Sequence, residues 1–108
     1  MSAVADPNAA YREANKLKAA GDLEAACDKL LAIVADYPDH ALSHSALAVH
    51  LQRLGRNDDA VGHAKKVTEL EPDDPFSFSQ LSVVCQRAGL IAEAEDAMAR
   101  ARMIQMRG

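Results

Sequence analysis

The four histidines of this 108-residue chain all lie in its middle third, and their side chains are the ones most suited to hold a metal ion. His40 and His44 are four positions apart, a spacing that puts two imidazoles on one helix face, and imidazole nitrogen is a preferred zinc ligand. However, His40 falls in a predicted turn and His44 at a core-facing helical position, while His50 and His63 fall on other faces. No cysteine or carboxylate completes a ligand set. The sequence therefore predicts structural or surface histidines, with no metal site and no other cofactor.

The two cysteines and the acidic pairs are the other candidates for chemistry, and each has a structural explanation. Cys27 and Cys85 are far apart and follow the spacing of apolar residues, which favours small buried side chains over a disulfide or a reactive thiol. The acidic pairs at 58–59 and 73–74 stand at predicted helix N-termini, where negative charge is favourable. The sequence also lacks a glycine-rich phosphate loop and a nucleophile elbow. These observations predict a protein that is not an enzyme.

The composition favours closely packed helices and excludes several functional classes. Hydrophobic residues make up 49% of the chain and aromatic residues 4%, and alanine, the best helix former, is abundant. A formal net charge of −4 and a pI near 5.5 do not suit a nucleic-acid-binding protein. No apolar stretch approaches the roughly 18 residues of a membrane span, and the residues before Pro7 lack the features of a signal peptide. We therefore expect a cytoplasmic protein that binds neither nucleic acid nor membrane.

A spacing of 34 residues relates several rows of small, apolar and turn-forming residues along the chain. The rows are Gly21, Gly55 and Gly89; Ala26, Ala60 and Ala94; Leu17, Leu51 and Cys85; and Pro38 and Pro72. Glycine suits the left-handed conformation just past a helix end, small residues let two helices approach, and proline stands where a helix must stop. The chain therefore divides into a disordered lead over 1–6 and a single domain over 7–108.

The domain is predicted to contain three units with two helices each. The units cover 7–40, 41–74 and 75–108. Apolar residues within each unit recur at spacings of three and four, which is typical of helices, and no segment shows the period-two alternation of a strand. We place the helices at roughly 7–20, 23–36, 41–54, 57–70, 75–88 and 91–105.

This arrangement resembles the tetratricopeptide repeat, whose pattern over 34 residues is W-x2-L-G-x2-Y, then A-x3-F, then P. The matching positions are Ala10, Glu13, Ala14, Leu17, Ala26, Leu30 and Pro38 in the first unit; His44, Leu47, Ala48, Leu51, Ala60, Ala64 and Pro72 in the second; and Phe78, Leu81, Ser82, Cys85, Ala94, Met98 and Met106 in the third. Ala10 and Glu13 depart most from the pattern, which fits the polar outer face that a terminal repeat needs. The resemblance implies an all-α fold, an α-solenoid of three antiparallel helix pairs forming a right-handed superhelix. In this family the first helix of each unit lines a concave surface that binds other proteins.

Side chains that lie off the packing stripe of each first helix are the candidates for binding a peptide or a segment of another protein. The predicted groove has an apolar floor, polar contacts and three cations. Its residues are Tyr11, Asn15, Lys18, Leu42, Ser45, Val49, Gln52, Arg53, Phe76, Ser79, Val83, Gln86 and Arg87. Such a surface suits an extended or helical peptide with apolar anchors and an acidic flank. The alternative is that repeat duplication alone made these positions alike, since single exposed apolar residues need no role.

A special class of tetratricopeptide domain grips the C-terminal carboxylate of heat-shock proteins with a five-residue clamp. The clamp would need lysine, asparagine, asparagine, lysine and arginine at the positions of Tyr11, Asn15, Ala46, Phe76 and Gln80. Only Asn15 matches. Because a carboxylate would find no charged partners there, the sequence predicts that this chain is not a carboxylate clamp.

The last predicted helix carries an apolar edge formed by Met98, Met103, Ile104 and Met106. An apolar edge of this kind suits contact with a second copy of the chain. A self-associating structural or scaffold module, and hence a homo-oligomer, is therefore the alternative function. The competing explanation is a frayed helix end whose side chains fold back on Met98.

Overall fold

The computed structural model describes residues 4–107 and contains six α-helices in that range, with no strand among these residues. The helices are α1 (Pro7–Ala19), α2 (Leu23–Asp36), α3 (Ala41–Arg53), α4 (Asn57–Leu70), α5 (Pro75–Arg87) and α6 (Ile91–Arg107). Their ends agree with the sequence prediction to within two residues. None of these helices is both long and apolar enough to cross a membrane.

The helix ends are fixed by local chemistry that the sequence already indicates. Asp6 caps α1, and its carboxylate accepts a hydrogen bond from the backbone N–H of Asn8 at 3.0 Å. Asp74 caps α5, and its carboxylate accepts from the backbone N–H of Phe76 at 3.0 Å. Both helices then begin with proline, which has no N–H to leave unsatisfied. Each pair turns at a glycine with a φ between 81° and 89°, a conformation that side chains disfavour.

The helices form three antiparallel pairs that pack in sequence order. Each helix contacts the next one along the chain, and α3 also contacts α5. Ala26 and Ala60 are fully buried and Ala94 is nearly so, because these small residues let the paired helices approach closely. The all-α solenoid predicted from the repeat is therefore confirmed.

Both cysteines belong to the core between the helices. Cys27 and Cys85 are free thiols that are completely buried, and burial raises the pKa of each thiol. Both therefore act as small hydrophobic side chains, as the sequence predicts.

The residues just before α1 differ from the sequence prediction, which made 1–6 a disordered lead. Residues 1–3 lie outside the described part of the chain. Val4, in contrast, packs partly buried against the core, and its N–H donates to the Asp36 carboxylate at 3.0 Å. The Tyr37 hydroxyl donates to the Val4 carbonyl oxygen at 2.8 Å. Residues 4–6 are thus held against the end of α2, which supplies both hydrogen-bonding partners and apolar surface. The division of the domain into three units stays a prediction.

Candidate functional site

A depression of about 510 Å³ lies between α3 and α5, and we call it the α3–α5 groove. It is lined by Val49, Gln52, Arg53, Gln80, Val83, Val84 and Arg87. Five of these were predicted from the sequence as binding residues. They come together because α3 and α5 are neighbouring first helices of consecutive units, so that residues 34 positions apart lie side by side.

The floor of the groove is apolar and open to solvent. Val49 is 41% exposed and Val83 is 46% exposed, although both are β-branched residues that usually pack in cores. Two turns earlier on the same helices, Leu42 and Phe76 are 56% and 75% exposed. The helices α3 and α5 therefore present four large apolar side chains to solvent.

A side-chain network joins α3 to α5 beside the groove. The Gln80 amide donates to the Ser45 hydroxyl oxygen at 2.9 Å and to the Ser45 carbonyl oxygen at 3.2 Å. Ser45 was predicted to contact a partner, but here it helps to hold the two helices together. Sequence reasoning missed Gln80 as a groove residue. Its position three residues before Val83 on the same helix was the available signal.

The remaining predicted groove residues lie outside the α3–α5 groove. Asn15 and Lys18 are exposed on α1, and Tyr11 is half-buried with its ring edge-on to His40 at 5.9 Å. Ser79 is half-buried on α5. Gln86 lines a different depression, on the side of α5 that faces α6.

Two of the histidines form a pair that the sequence did not indicate. His44 is buried, and its Nε2–H donates to the Pro38 carbonyl oxygen at 2.8 Å. Its Nδ1 lies 3.0 Å from Nδ1 of His63, so these two nitrogens share one proton. The prediction that His63 lies on an unrelated face is therefore wrong, because the pairing of α3 with α4 brings the two rings together. Within residues 4–107 no group of three or more His, Cys, Asp or Glu side chains is suited to hold a metal ion.

His50 and His40 have contrasting surroundings. His50 is 4% exposed and its Nδ1 is buried without a hydrogen-bonding partner. Both ring nitrogens of His40 are satisfied, by the Ser43 hydroxyl at 2.7 Å and the Asn8 side-chain oxygen at 3.0 Å. Burial lowers the pKa of His40, and burial followed by the charges of Lys18 and Arg53 lowers the pKa of His50.

We expect the stability of the chain to decrease as the pH falls below the ordinary histidine range. Burial lowers the pKa of His40, His50 and His63 in the folded chain, whereas histidines of the unfolded chain keep a pKa of about 6.5. Below that pH the unfolded chain binds protons that the folded chain does not, so the free energy of unfolding falls. Urea denaturation at about pH 7.5 and about pH 5.5 measures this difference. A free energy of unfolding that is constant or higher at the lower pH would contradict it, and His63→Gln should make the dependence shallower.

The predicted self-association edge is only partly available on the surface. Ile104 is 8% exposed and Met98 is half-buried, so Ile104 is unsuited to contact a second copy. The helix periodicity turns Ile104 towards the core together with Ala101. Met103 and Met106 are 57% and 86% exposed and line a depression with Arg100 and Arg107. Self-association through these two methionines stays a prediction.

Solved structures with the same fold cover nearly the whole chain. The crystal structure of MamA has a TM-score of 0.86 at 19% sequence identity over 94% of this chain. YrrB, described as a tetratricopeptide-repeat protein with an unusual peptide-binding site, has a TM-score of 0.83 at 18% identity over 95% of this chain. This chain spans 60% of the MamA chain and 53% of the YrrB chain.

A third solved structure matches over almost its full length. The second tetratricopeptide domain of Spaghetti (RPAP3), bound to the HSP90 peptide SRMEEVD, has a TM-score of 0.82 at 14% identity, over 93% of each chain. No family model and no curated protein matches the sequence. Together, the six helices, their packing order and these likenesses give the chain the fold of a tetratricopeptide domain of three repeats.

Proposed function

We propose that this chain is a non-catalytic interaction module that binds a peptide segment of a partner protein in the α3–α5 groove. The observation that carries the proposal is the pair of exposed valines, Val49 and Val83, at the floor of one depression. A single exposed valine would need no explanation, but two that share a concave site offer apolar area to a ligand. Two proteins with the same fold, YrrB and the RPAP3 domain, have a peptide-binding site or a bound peptide, which supports the proposal.

The mode of binding that we propose differs from the carboxylate clamp. Phe76 and Gln80 stand where the clamp requires cations, and the Gln80 amide is already hydrogen-bonded to Ser45. A terminal carboxylate at this place would meet an aromatic ring and a neutral amide. The ligand is therefore recognised by side chains along its length and not by its C-terminus.

We expect the double substitution Val49→Glu and Val83→Glu to weaken peptide binding by at least about tenfold. Burial of the exposed part of each valine stabilises the complex by about 1 kcal/mol, and together these contributions exceed the roughly 1.4 kcal/mol of a tenfold change in affinity. The probe is a fluorescein-labelled peptide selected on the wild-type chain from a random-peptide phage library, and the measurement is fluorescence anisotropy.

The matched control for this experiment is Leu31→Glu on α2. Leu31 is 40% exposed, as Val49 is, but it belongs to a second helix of a unit and lies outside the groove. The control should bind the peptide normally, and all variants should keep their helical circular dichroism. If the double variant binds the peptide as tightly as the control does, the groove is not the binding site.

A further inference from the structure

Positive charge is concentrated on the first helices of the three units, although the chain as a whole is acidic. The helices α1, α3 and α5 contain five lysine and arginine residues and one glutamate, whereas the rest of the chain contains seven basic and fifteen acidic residues. Neither α3 nor α5 contains an aspartate or a glutamate. The first helices together therefore carry a net charge of opposite sign to that of the remainder of the molecule.

Three of these cations lie in the last turns of the three first helices, and we call them the cationic row. The row consists of Lys18, Arg53 and Arg87. Arg53 and Arg87 occupy equivalent repeat positions and both line the α3–α5 groove. Because the first helices of consecutive units run in the same direction, their last turns lie at the same edge, while Leu42 and Phe76 lie in the first turns at the opposite edge.

The members of the cationic row have no carboxylate partner within residues 4–107. The ion pairs described there are Lys29–Glu13, Arg56–Glu24, Lys65–Glu93 and Lys66–Glu69. In each of these pairs at least one partner lies on α2 or α4, which are second helices of their units. The row is thus free to pair with a ligand.

Cations in a last turn interact favourably with the helix dipole, and basic residues stand in the last turns of α1, α3, α5 and α6 but not of α2 and α4. Arg53 and Arg87 differ from the cation of α6 because they line one groove together. Burial, and after it the charges of Lys18 and Arg53, lower the pKa of His50. Lys18 on α1 and Arg53 on α3 therefore lie close enough to influence the same buried side chain.

We propose that the concave face selects acidic peptides, whose Asp or Glu side chains pair with Lys18, Arg53 and Arg87 while apolar side chains contact Val49 and Val83. This inference rests on the proposed function, because it names the class of peptide that the groove binds. Arginine pairs with carboxylates through two parallel hydrogen bonds, so Arg53 and Arg87 supply direction as well as charge. A nucleic acid is a poorer ligand, since its continuous phosphate charge would also meet the acidic remainder of the chain.

The test compares peptides selected by the wild-type chain and by the variant Arg53→Glu with Arg87→Glu from one random-peptide phage library. Wild-type selections should be enriched in Asp and Glu together with Leu, Ile, Val or Phe, and selections on the variant should be enriched in Lys and Arg. For a labelled wild-type-selected peptide, replacing its Asp and Glu by Asn and Gln should lower affinity by about tenfold or more, and added salt should lower it as well.

The matched control is Arg102→Glu with Arg107→Glu on α6, which makes the same change in net charge away from the concave side. If the wild-type chain instead selects peptides that are not enriched in Asp or Glu but whose binding still depends on Val49 and Val83, that result would overturn the acidic preference and leave the proposed function intact. If no peptide is selected, or if the selected peptides bind independently of both the valines and the arginines, both proposals fail. The inference would also be overturned if a labelled single-stranded RNA bound the wild-type chain more tightly than the selected peptide does, and if this RNA binding were lost in the variant Arg53→Glu with Arg87→Glu.

Discussion

The substitution Ala60→Phe should lower the free energy of unfolding by about 1–3 kcal/mol or more. Ala60 is completely buried in the core cluster and is the middle member of the row formed with Ala26 and Ala94. A phenyl ring at this position would force α3 and α4 apart, because protein interiors hold no spare volume of that size. The measurement is urea denaturation followed by circular dichroism, and a loss of this size is a large share of the stability of a small domain.

The control for this prediction is Lys65→Phe on the same helix. Lys65 is exposed, and its only described ion pair, with Glu93 at 3.5 Å, joins two side chains that are about half exposed. Such a pair contributes little, so the control should change stability by less than about 0.5 kcal/mol. Equal losses for the two substitutions would show that Ala60 is not at a close contact between the helices.

The same substitution at two buried histidines should change stability in opposite directions. We expect His44→Leu to lower the free energy of unfolding by about 1–3 kcal/mol, because it removes the hydrogen bond to Pro38 and leaves Nδ1 of His63 without its partner. We expect His50→Leu to raise it by about 1 kcal/mol, because it removes a buried nitrogen that has no hydrogen bond.

The repeat itself supplies an internal control for the second histidine. Val84 occupies the position equivalent to His50 in the third unit and is 3% exposed, so an apolar side chain is accommodated at this place in the fold. Both variants should be compared by urea denaturation at about pH 7.5, above the ordinary pKa of histidine. A loss of similar size in both would mean that His50 has a favourable role in packing that outweighs its unsatisfied nitrogen.

Much of the fold could be predicted because a helical repeat is stabilised by local interactions and by contacts between neighbouring units. Asp6, Asp74 and the glycine after each first helix mark helix ends through hydrogen bonds and backbone conformations that span only a few residues. The buried alanine row follows from the repeat spacing alone. Val4 was misjudged because its partners, Asp36 and Tyr37, lie more than thirty residues further along the chain.

The sequence by itself determined the number of helices, their ends, the buried rows and the positions of the exposed valines, since each depends on periodicity and local chemistry. Only the tertiary structure decided which side chains share a surface. It joined Gln80 to Val49 and Val83, separated Gln86 from them, paired His44 with His63 and turned Ile104 inwards. The physical reason is that these contacts depend on the distance between helices and on side-chain rotamers, and a spacing along the chain does not define either of them.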